Sequence, residues 1–114
     1  MSRASGLSVA EARHAAPLFA ALGDPTRLQL LQRLCRGGPG SIQQLSDKAE
    51  VSRQAIRKHL DVLEQAGLVR SARRGRECRW ELQPRRLDDA HDYLERISKQ
   101  WDDALARLAA FVED

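Results

Sequence analysis

Six polar side chains lie close together in one short segment of the chain. They are Ser52, Arg53, Gln54, Arg57, Lys58 and His59. Arginine can donate two hydrogen bonds to the edge of a guanine base, and glutamine can bind adenine in a similar bidentate way. A serine at the start of a helix favours a phosphate group, helped by the free N–H groups and the helix dipole. The segment therefore predicts contacts with both the bases and the backbone of double-stranded DNA.

The same segment is expected to form one amphipathic helix. Ile56, Leu60 and Leu63 recur at helical spacing and form a single apolar stripe. Ser52 is expected to cap the N-terminus of this helix, and Gly67 to end it in a left-handed conformation. The polar side chains then lie off the stripe, with His59 at its edge, where they are free to contact DNA.

A second helix is expected immediately before it. Ser41 and Gln44 match a capping box, with Ile42 and Leu45 as the buried side and a short turn at Glu50-Val51. Two helices joined by so short a turn form a helix-turn-helix. Ser41 is assigned to the same DNA-binding surface.

A β-hairpin is expected to follow, with strands over residues 68–73 and 76–82 and Gly75 in the turn. Three arginines flank this glycine: Arg73, Arg74 and Arg76. Arginine binds phosphate and narrow minor grooves, so the hairpin is expected to act as a wing that contacts DNA. Arg70 and Arg79 are expected to lie along the hairpin instead.

Three more helices complete the predicted fold. One spans about residues 9–22, with apolar positions at Val9, Ala12, Ala16, Phe19 and Leu22. The next begins at Asp24-Pro25, a cap followed by a first-turn proline, and its core face is Leu28, Leu31 and Leu34. The last spans about residues 87–112, with Pro84 separating it from the hairpin.

The predicted fold class is mainly α with a small β-hairpin, a dimeric winged helix-turn-helix. Residues 1–8 are expected to form a flexible tail and residues 9–114 one domain for DNA binding and dimerisation. An apolar stripe on the last helix, together with one aromatic residue of the first, is expected to form the dimer interface. These residues are Phe19, Leu94, Ile97, Trp101, Leu105 and Leu108.

The distribution of charge agrees with a polyanionic partner. Residues 51–86 carry ten basic and four acidic side chains, whereas residues 87–114 carry three basic and eight acidic ones. A basic segment releases counterions when it neutralises phosphates. The sequence has no long apolar run and no signal-peptide pattern at its start, so we expect a cytoplasmic protein without a membrane partner.

Two other classes of function are weighed against DNA binding. An enzyme has little support, because the three histidines lie on different helices and no nucleophile has a base at recognisable spacing. A winged-helix module that binds only proteins is the other alternative, and it would not need a basic helix and a basic wing. A solvated basic face is the simplest alternative for the charge alone.

Two segments carry a resemblance to a known family. The run from Leu22 to Arg27, Leu-Gly-Asp-Pro-Thr-Arg, and the run from Lys58 to Val69 resemble the ArsR/SmtB family of bacterial repressors. The similarity covers about residues 15–110. It implies a homodimeric winged helix-turn-helix repressor whose dimer contacts come from the first and last helices. It also implies that an inducer lowers the affinity for the operator.

The metal sites of that family match this sequence poorly. Where many arsenic, cadmium and lead sensors carry two cysteines, this chain has Ser41 and Gln43. Zinc sensors of the family use two positions of the last helix together with two later positions from the partner subunit. Asp89 and His91 match the first two and Asp102 the third, but the final position is Leu105. Such a set makes at best a partial zinc site, so we expect no metal and no cofactor.

A thiol response is a further alternative for the signal. Cys35 is expected at the end of the second helix, flanked by Arg33 and Arg36, and a positive neighbourhood favours a reactive thiolate. Cys78 shares the inward strand face with Trp80 and is expected to belong to the core. The predicted partners are an operator in double-stranded DNA and a second copy of the chain, and the inducer is unknown.

Overall fold

In the computed structural model, which describes residues 7–113, five helices surround a small sheet. The elements in chain order are α1 (Val9–Leu22), α2 (Pro25–Gly37), β1 (Gly40–Ser41), α3 (Ile42–Ser46), α4 (Arg53–Gln65), β2 (Val69–Arg74), β3 (Glu77–Leu82) and α5 (Pro84–Glu113). The predicted order of four helices, a hairpin and a long last helix is confirmed. Of the predicted tail over residues 1–8, residues 1–6 lie outside the described residues.

The sheet has one strand more than predicted. β1 pairs antiparallel with β3, with Gly40 opposite Trp80 and Ser41 opposite Arg79, so the strand order is β1-β3-β2. A two-residue strand has no alternation of its own, which is why the sequence pattern did not indicate it. Gly75 has a φ of 63° in the turn between β2 and β3, as expected for a position that favours glycine.

The starts of the first four helices are set by side-chain caps. Asp24, Ser41 and Ser52 each accept a hydrogen bond from the backbone N–H three residues later, as predicted. Ser8 does the same for α1, so this residue belongs to the helix start and not to the predicted tail. Pro84 is the first residue of α5 rather than a separator, because a proline at this position gives up no helical hydrogen bond.

The core lies between α1, α2, α4 and the sheet. The predicted stripe of α4 is confirmed, since Ile56, Leu60 and Leu63 are all buried. In α2, Leu31 and Leu34 are buried as predicted. Leu28 was assigned wrongly, because its side chain is 51% exposed and Leu30 takes its place in the core.

The buried face of α1 agrees only in part with the predicted one, since Phe19 and Leu22 pack half-buried against the core. Ala15, Leu18 and Ala21 contact the core, whereas Val9, Ala12 and Ala16 are exposed. Both sets have helical spacing, and the pattern alone does not show which of two apolar stripes faces the chain's own core. The outer stripe of α1 is therefore left without cover in the single chain.

An arginine of α2 binds the C-terminal end of α3. The guanidinium group of Arg33 donates hydrogen bonds to the carbonyl oxygens of Gln44, Leu45 and Asp47 at 2.7, 2.8 and 3.1 Å. The last carbonyl groups of a helix have no partner within the helix, so a neighbouring donor must satisfy them. Arg33 thereby joins α2 to the point where the chain turns from α3 toward α4.

Two other arginines make contacts of the same kind. Arg27 donates from Nε to the carbonyl of Ala21 at 2.6 Å and from Nη2 to that of Ala20 at 3.4 Å, at the end of α1. Arg86 of α5 donates to the carbonyl of Ala66 at the end of α4. Three helix ends are thus bound by guanidinium groups from other helices.

Arg33→Ala is expected to lower the free energy of unfolding by about 1–2 kcal/mol, because three carbonyl groups lose their donor at once. Arg36→Ala is the matched control, since Arg36 is an exposed arginine of the same helix whose side chain makes no hydrogen bond within residues 7–113. Urea denaturation followed by circular dichroism measures both. Equal losses in the two variants would contradict this role of Arg33.

Glu11 gives the fold a dependence on pH. The backbone N–H of Ser8 and then the guanidinium of Arg96, which lies 2.7 Å from the carboxylate, lower the pKa of Glu11 from 4.5 to about 2. Since the folded state holds the charged form, its contribution to stability is present above pH 4.5 and is lost as the pH falls toward 2.

Glu11→Gln is therefore expected to be less stable than the parent chain at neutral pH, with the difference disappearing between pH 4.5 and 2. Thermal unfolding at a series of pH values measures this. A difference that stays constant down to pH 2 would show that the charge of Glu11 is not responsible.

Candidate nucleic-acid interface

The N-terminal half of α4 presents an exposed polar face. Arg53, Gln54, Arg57 and Lys58 are all exposed, on the side of the helix away from the buried stripe. Ser52, also exposed, accepts a hydrogen bond from the N–H of Ala55 at 3.1 Å. The structure thus brings together five of the ten predicted DNA-binding residues on one face of α4.

The turn before α4 makes α3 and α4 a helix-turn-helix. α3 ends at Ser46 and α4 begins at Arg53, and the two helices pack against each other. Lys48 lies in this turn with a φ of 62°, a left-handed conformation that is uncommon for residues other than glycine. The sequence has no glycine at this position, so the left-handed conformation in the turn could not be predicted from the sequence.

Ser41 does not belong to the exposed surface. Its side chain is 6% exposed, and its hydroxyl oxygen accepts a hydrogen bond from the N–H of Gln44 at 3.2 Å. Its backbone pairs with Arg79 of β3. The assignment of Ser41 to DNA contact is therefore wrong, and its predicted role as a helix cap is correct.

His59 also faces the protein rather than solvent. Its Nδ1 lies 3.2 Å from Nη1 of Arg27 and 3.8 Å from a carboxylate oxygen of Asp24, at the junction of α1 and α2. The backbone N–H of Arg27, and then the nearby charge of His59, lower the pKa of Asp24. One ring nitrogen of His59 is thus engaged inside the chain while its side chain stays 23% exposed, and contact of His59 with DNA stays a prediction.

The wing carries two kinds of arginine. Arg70 and Arg79 lie along the strands and form ion pairs with Glu81 at 2.6 Å and with Glu77 at 2.7 Å. The arginines beside Gly75 are exposed and have no ion-pair partner within residues 7–113: Arg73, Arg74 and Arg76. Positive charge without a partner is thus concentrated at the tip, as predicted.

Two contacts that the sequence pattern did not indicate join α4 to the wing. The carboxylate of Glu64 accepts hydrogen bonds from both the N–H and the hydroxyl of Ser71, each at 2.9 Å. The guanidinium carbon of Arg57 lies 5.7 Å from the centroid of the Trp80 ring. Arg57 and Glu64 are seven residues apart and therefore lie on the same face of α4. This spacing is the feature of the sequence from which the two contacts could have been predicted.

An open polar groove of about 650 Å³ lies beside the start of α4. Its lining comes mostly from α3 and the turn that follows it, including Gln43 and Lys48, with Arg53 of α4 and Glu77 of β3. The groove therefore brings one residue of α4 and one residue at the base of the wing to the same opening, and the arginines of the wing tip do not line it.

The outer part of α5 leaves a row of large apolar side chains exposed. The row includes Leu94, Ile97, Trp101, Leu105, Leu108, Phe111 and Val112. Trp101 is 66% exposed although it is a large aromatic residue. Phe19, which we assigned to the same interface, is half-buried and packs edge-to-face against Tyr93 of its own chain, with ring centroids 6.3 Å apart.

The residues of the partial zinc pattern do not come together within the chain. The carboxylate of Asp89 is bound by Arg86 at 3.0 Å, and Asp102 lies eleven residues beyond His91 on the same helix. His91 lies instead near Asp92 and Glu95, and all three are exposed. Asp89 is thus engaged by an arginine of its own chain, and the partial zinc pattern, which would be completed between two copies of the chain, stays a prediction.

The two cysteines lie on separate elements and are not bonded to each other. Cys35 is exposed on α2, as its predicted reactivity would require, and Cys78 is half-buried beside the core. Thiol sensing through Cys35 stays a prediction. Among the described residues, no helix is long and apolar enough to cross a membrane.

Comparison with known proteins identifies relatives of the same architecture. A family described as "Helix-turn-helix domain" matches residues 22–72. The uncharacterized HTH-type transcriptional regulator YuzN of Bacillus subtilis is 42% identical over 65 residues, which are 52% of this chain and 71% of YuzN. The transcriptional repressor SdpR of the same organism is 29% identical over 68% of this chain and 84% of its own length.

A solved structure extends the similarity to nearly the whole chain. The ArsR-like transcriptional regulator from Rhodococcus sp. RHA1 is 40% identical, with a TM-score of 0.75, over 90% of this chain and 96% of its own. The matched region includes both the helix-turn-helix and the wing, so the similarity concerns the complete fold.

Proposed function

This chain belongs to the ArsR/SmtB family of winged helix-turn-helix transcriptional regulators, and we propose that it acts as a homodimeric repressor of its target genes. The family is one of DNA-binding regulators and not of enzymes. One observation carries the proposal: exposed arginines without an ion pair within residues 7–113 lie on the second helix of a helix-turn-helix and at the tip of a wing that Glu64 and Ser71 join to that helix.

In the proposed complex, α4 lies in the major groove of the operator. Arg53 and Arg57 can each donate two hydrogen bonds to a guanine, and Gln54 can bind an adenine. Ser52 and Lys58 lie beside them, where a phosphate would meet the start of the helix and its dipole. The buried stripe of α4 keeps the helix on the core while its polar face contacts DNA.

The wing supplies contacts that do not depend on base sequence. Arg73, Arg74 and Arg76 carry no internal ion pair within residues 7–113, so their charge is available for phosphates or for a minor groove. Arg70 and Arg79 are neutralised along the hairpin and are assigned a structural role.

The homodimer is proposed from the uncovered apolar faces. α5 exposes Leu94, Ile97 and Trp101 in one continuous row with the residues beyond them, and α1 exposes Val9 near its start. Pairing of these faces between two copies would remove them from water and place two α4 helices on successive half-sites.

Repression follows from the class of relatives and from simple exclusion. SdpR is a transcriptional repressor by name, and a dimer seated on an operator occupies DNA that a polymerase needs. Binding to chromosomal DNA would place the protein in the cytoplasm.

Arg53→Ala and Arg74→Ala are expected to weaken DNA binding in different ways. Loss of Arg53 should cost about 1–3 kcal/mol on the preferred duplex and relax the base preference at one position. Loss of Arg74 should weaken binding to all duplexes and lower the dependence on salt, because one phosphate contact is lost.

The measurement is fluorescence anisotropy at several salt concentrations, with a duplex selected by the parent protein from a random pool. Arg36→Ala is the control, since its charge lies on α2. If the parent protein selects no duplex, or if both variants bind like the control, the proposed DNA surface is wrong, and a protein-binding module becomes the better description.

Trp101→Ala is expected to shift the protein toward monomer by removing the largest apolar side chain of the exposed row. Asp103→Ala is its control, because Asp103 lies on the opposite side of the same helix. Sedimentation velocity at a series of low concentrations measures the dissociation. A Trp101→Ala protein that stays dimeric wherever the control does would remove Trp101 from the interface.

A further inference from the structure

Trp80 occupies an unusual place between the core and the candidate DNA surface. It lies on the central strand β3, opposite Gly40 of β1 and Ser71 of β2, and its side chain is 2% exposed. The guanidinium group of Arg57, an exposed residue of α4, lies over its ring. A buried, rigid aromatic face thus supports an exposed cation.

Packing alone does not explain an indole at this position. The Nε1–H group of Trp80 is buried without a hydrogen-bond partner in the described part of the chain. A buried donor without a partner costs free energy, and a phenylalanine or leucine would fill apolar space without that cost. The indole does, however, provide the aromatic face that binds a cation most strongly.

Arg57 differs from its neighbours on α4 because its guanidinium group lies over an aromatic ring. Arg57 has no hydrogen bond or ion pair with another side chain between residues 7 and 113, so its N–H donors are free. A guanidinium that lies with its face toward a ring keeps its edge available for a bidentate contact. Arg53 and Lys58 have no aromatic ring beneath them among the described residues.

We propose that Trp80 is a positioning residue that holds Arg57 in the orientation needed to bind a guanine base in the major groove. The proposal rests on the proposed function. Its physical reason is pre-organisation: an arginine already restricted by the ring loses less conformational entropy when it binds the base. Trp80 itself does not contact DNA.

A pair of double-mutant cycles tests this role. The variants are Trp80→Leu, Arg57→Ala and Lys58→Ala, with the two doubles that contain Trp80→Leu, and the probe is a labelled duplex selected by the parent protein from a random pool. Trp80→Leu is expected to weaken binding about fivefold and to relax base preference at the same guanine as Arg57→Ala. In the Arg57→Ala background it should have no further effect, whereas in the Lys58→Ala background the full fivefold loss should remain.

Trp80→Phe and Trp80→Tyr keep the test valid if Trp80→Leu folds poorly, since both retain an aromatic ring of weaker cation affinity. Both should bind between the parent and Trp80→Leu, and their losses should likewise vanish in the Arg57→Ala background. Circular dichroism confirms that the compared proteins are equally folded.

Three results would overturn the proposal. A loss from Trp80 substitution that persists in the Arg57→Ala background would show a general structural role. Unchanged binding in every Trp80 variant would show that the ring is not needed, and tighter binding would show that Trp80 withdraws Arg57 from DNA. If the parent protein selects no duplex at all, the proposed function itself fails, and this role fails with it.

Discussion

Arginine side chains that bind carbonyl groups at the ends of other helices determine how the helix ends of this small protein meet. The core is made almost entirely of aliphatic residues, and the arginines add directional hydrogen bonds to its packing. Arg33 connects α2 to the end of α3, and Arg27 connects it to the end of α1. Because each guanidinium group binds two or more carbonyls, it restricts both the distance and the direction of the helix that it meets. The helix-turn-helix owes its geometry to α2, an element that contacts no DNA in the proposed complex.

This arrangement separates the residues that build the interface from those that are free to bind. Every arginine with several internal partners lies away from the polar face of α4, and the arginines of that face and of the wing tip lack such partners within residues 7–113. Glu64 and Ser71 add a direct connection between α4 and the wing. The two elements that we propose to contact DNA are therefore joined to each other within the chain.

The sequence was sufficient where the determining interaction is local. Asp24 and Ser52 cap helices three residues away, and Gly75 allows a turn within its own hairpin, so composition and spacing predicted them. The sequence was insufficient where the environment of a residue is set by a segment that is distant in the chain. Ser41 and His59 have polar side chains suited to DNA, and only the folded chain shows that pairing of β1 with β3 buries Ser41 and that the junction of α1 and α2 engages His59. Likewise, the sequence shows two apolar stripes on α1, and which of the two is buried depends on the elements that pack against the helix.

The length of α5 has a thermodynamic consequence for the isolated chain. The helix spans 30 residues, roughly 45 Å, yet every residue from 101 to 112 is exposed. A segment of that length is at the lower limit for a stable helix in water when nothing packs against it. In a free monomer this half of α5 would approach a helix–coil equilibrium, and pairing would shift that equilibrium toward helix. Part of the association free energy of the proposed dimer would then offset the cost of ordering its own interface. The stability of the end of α5 would therefore rise with the concentration of the protein.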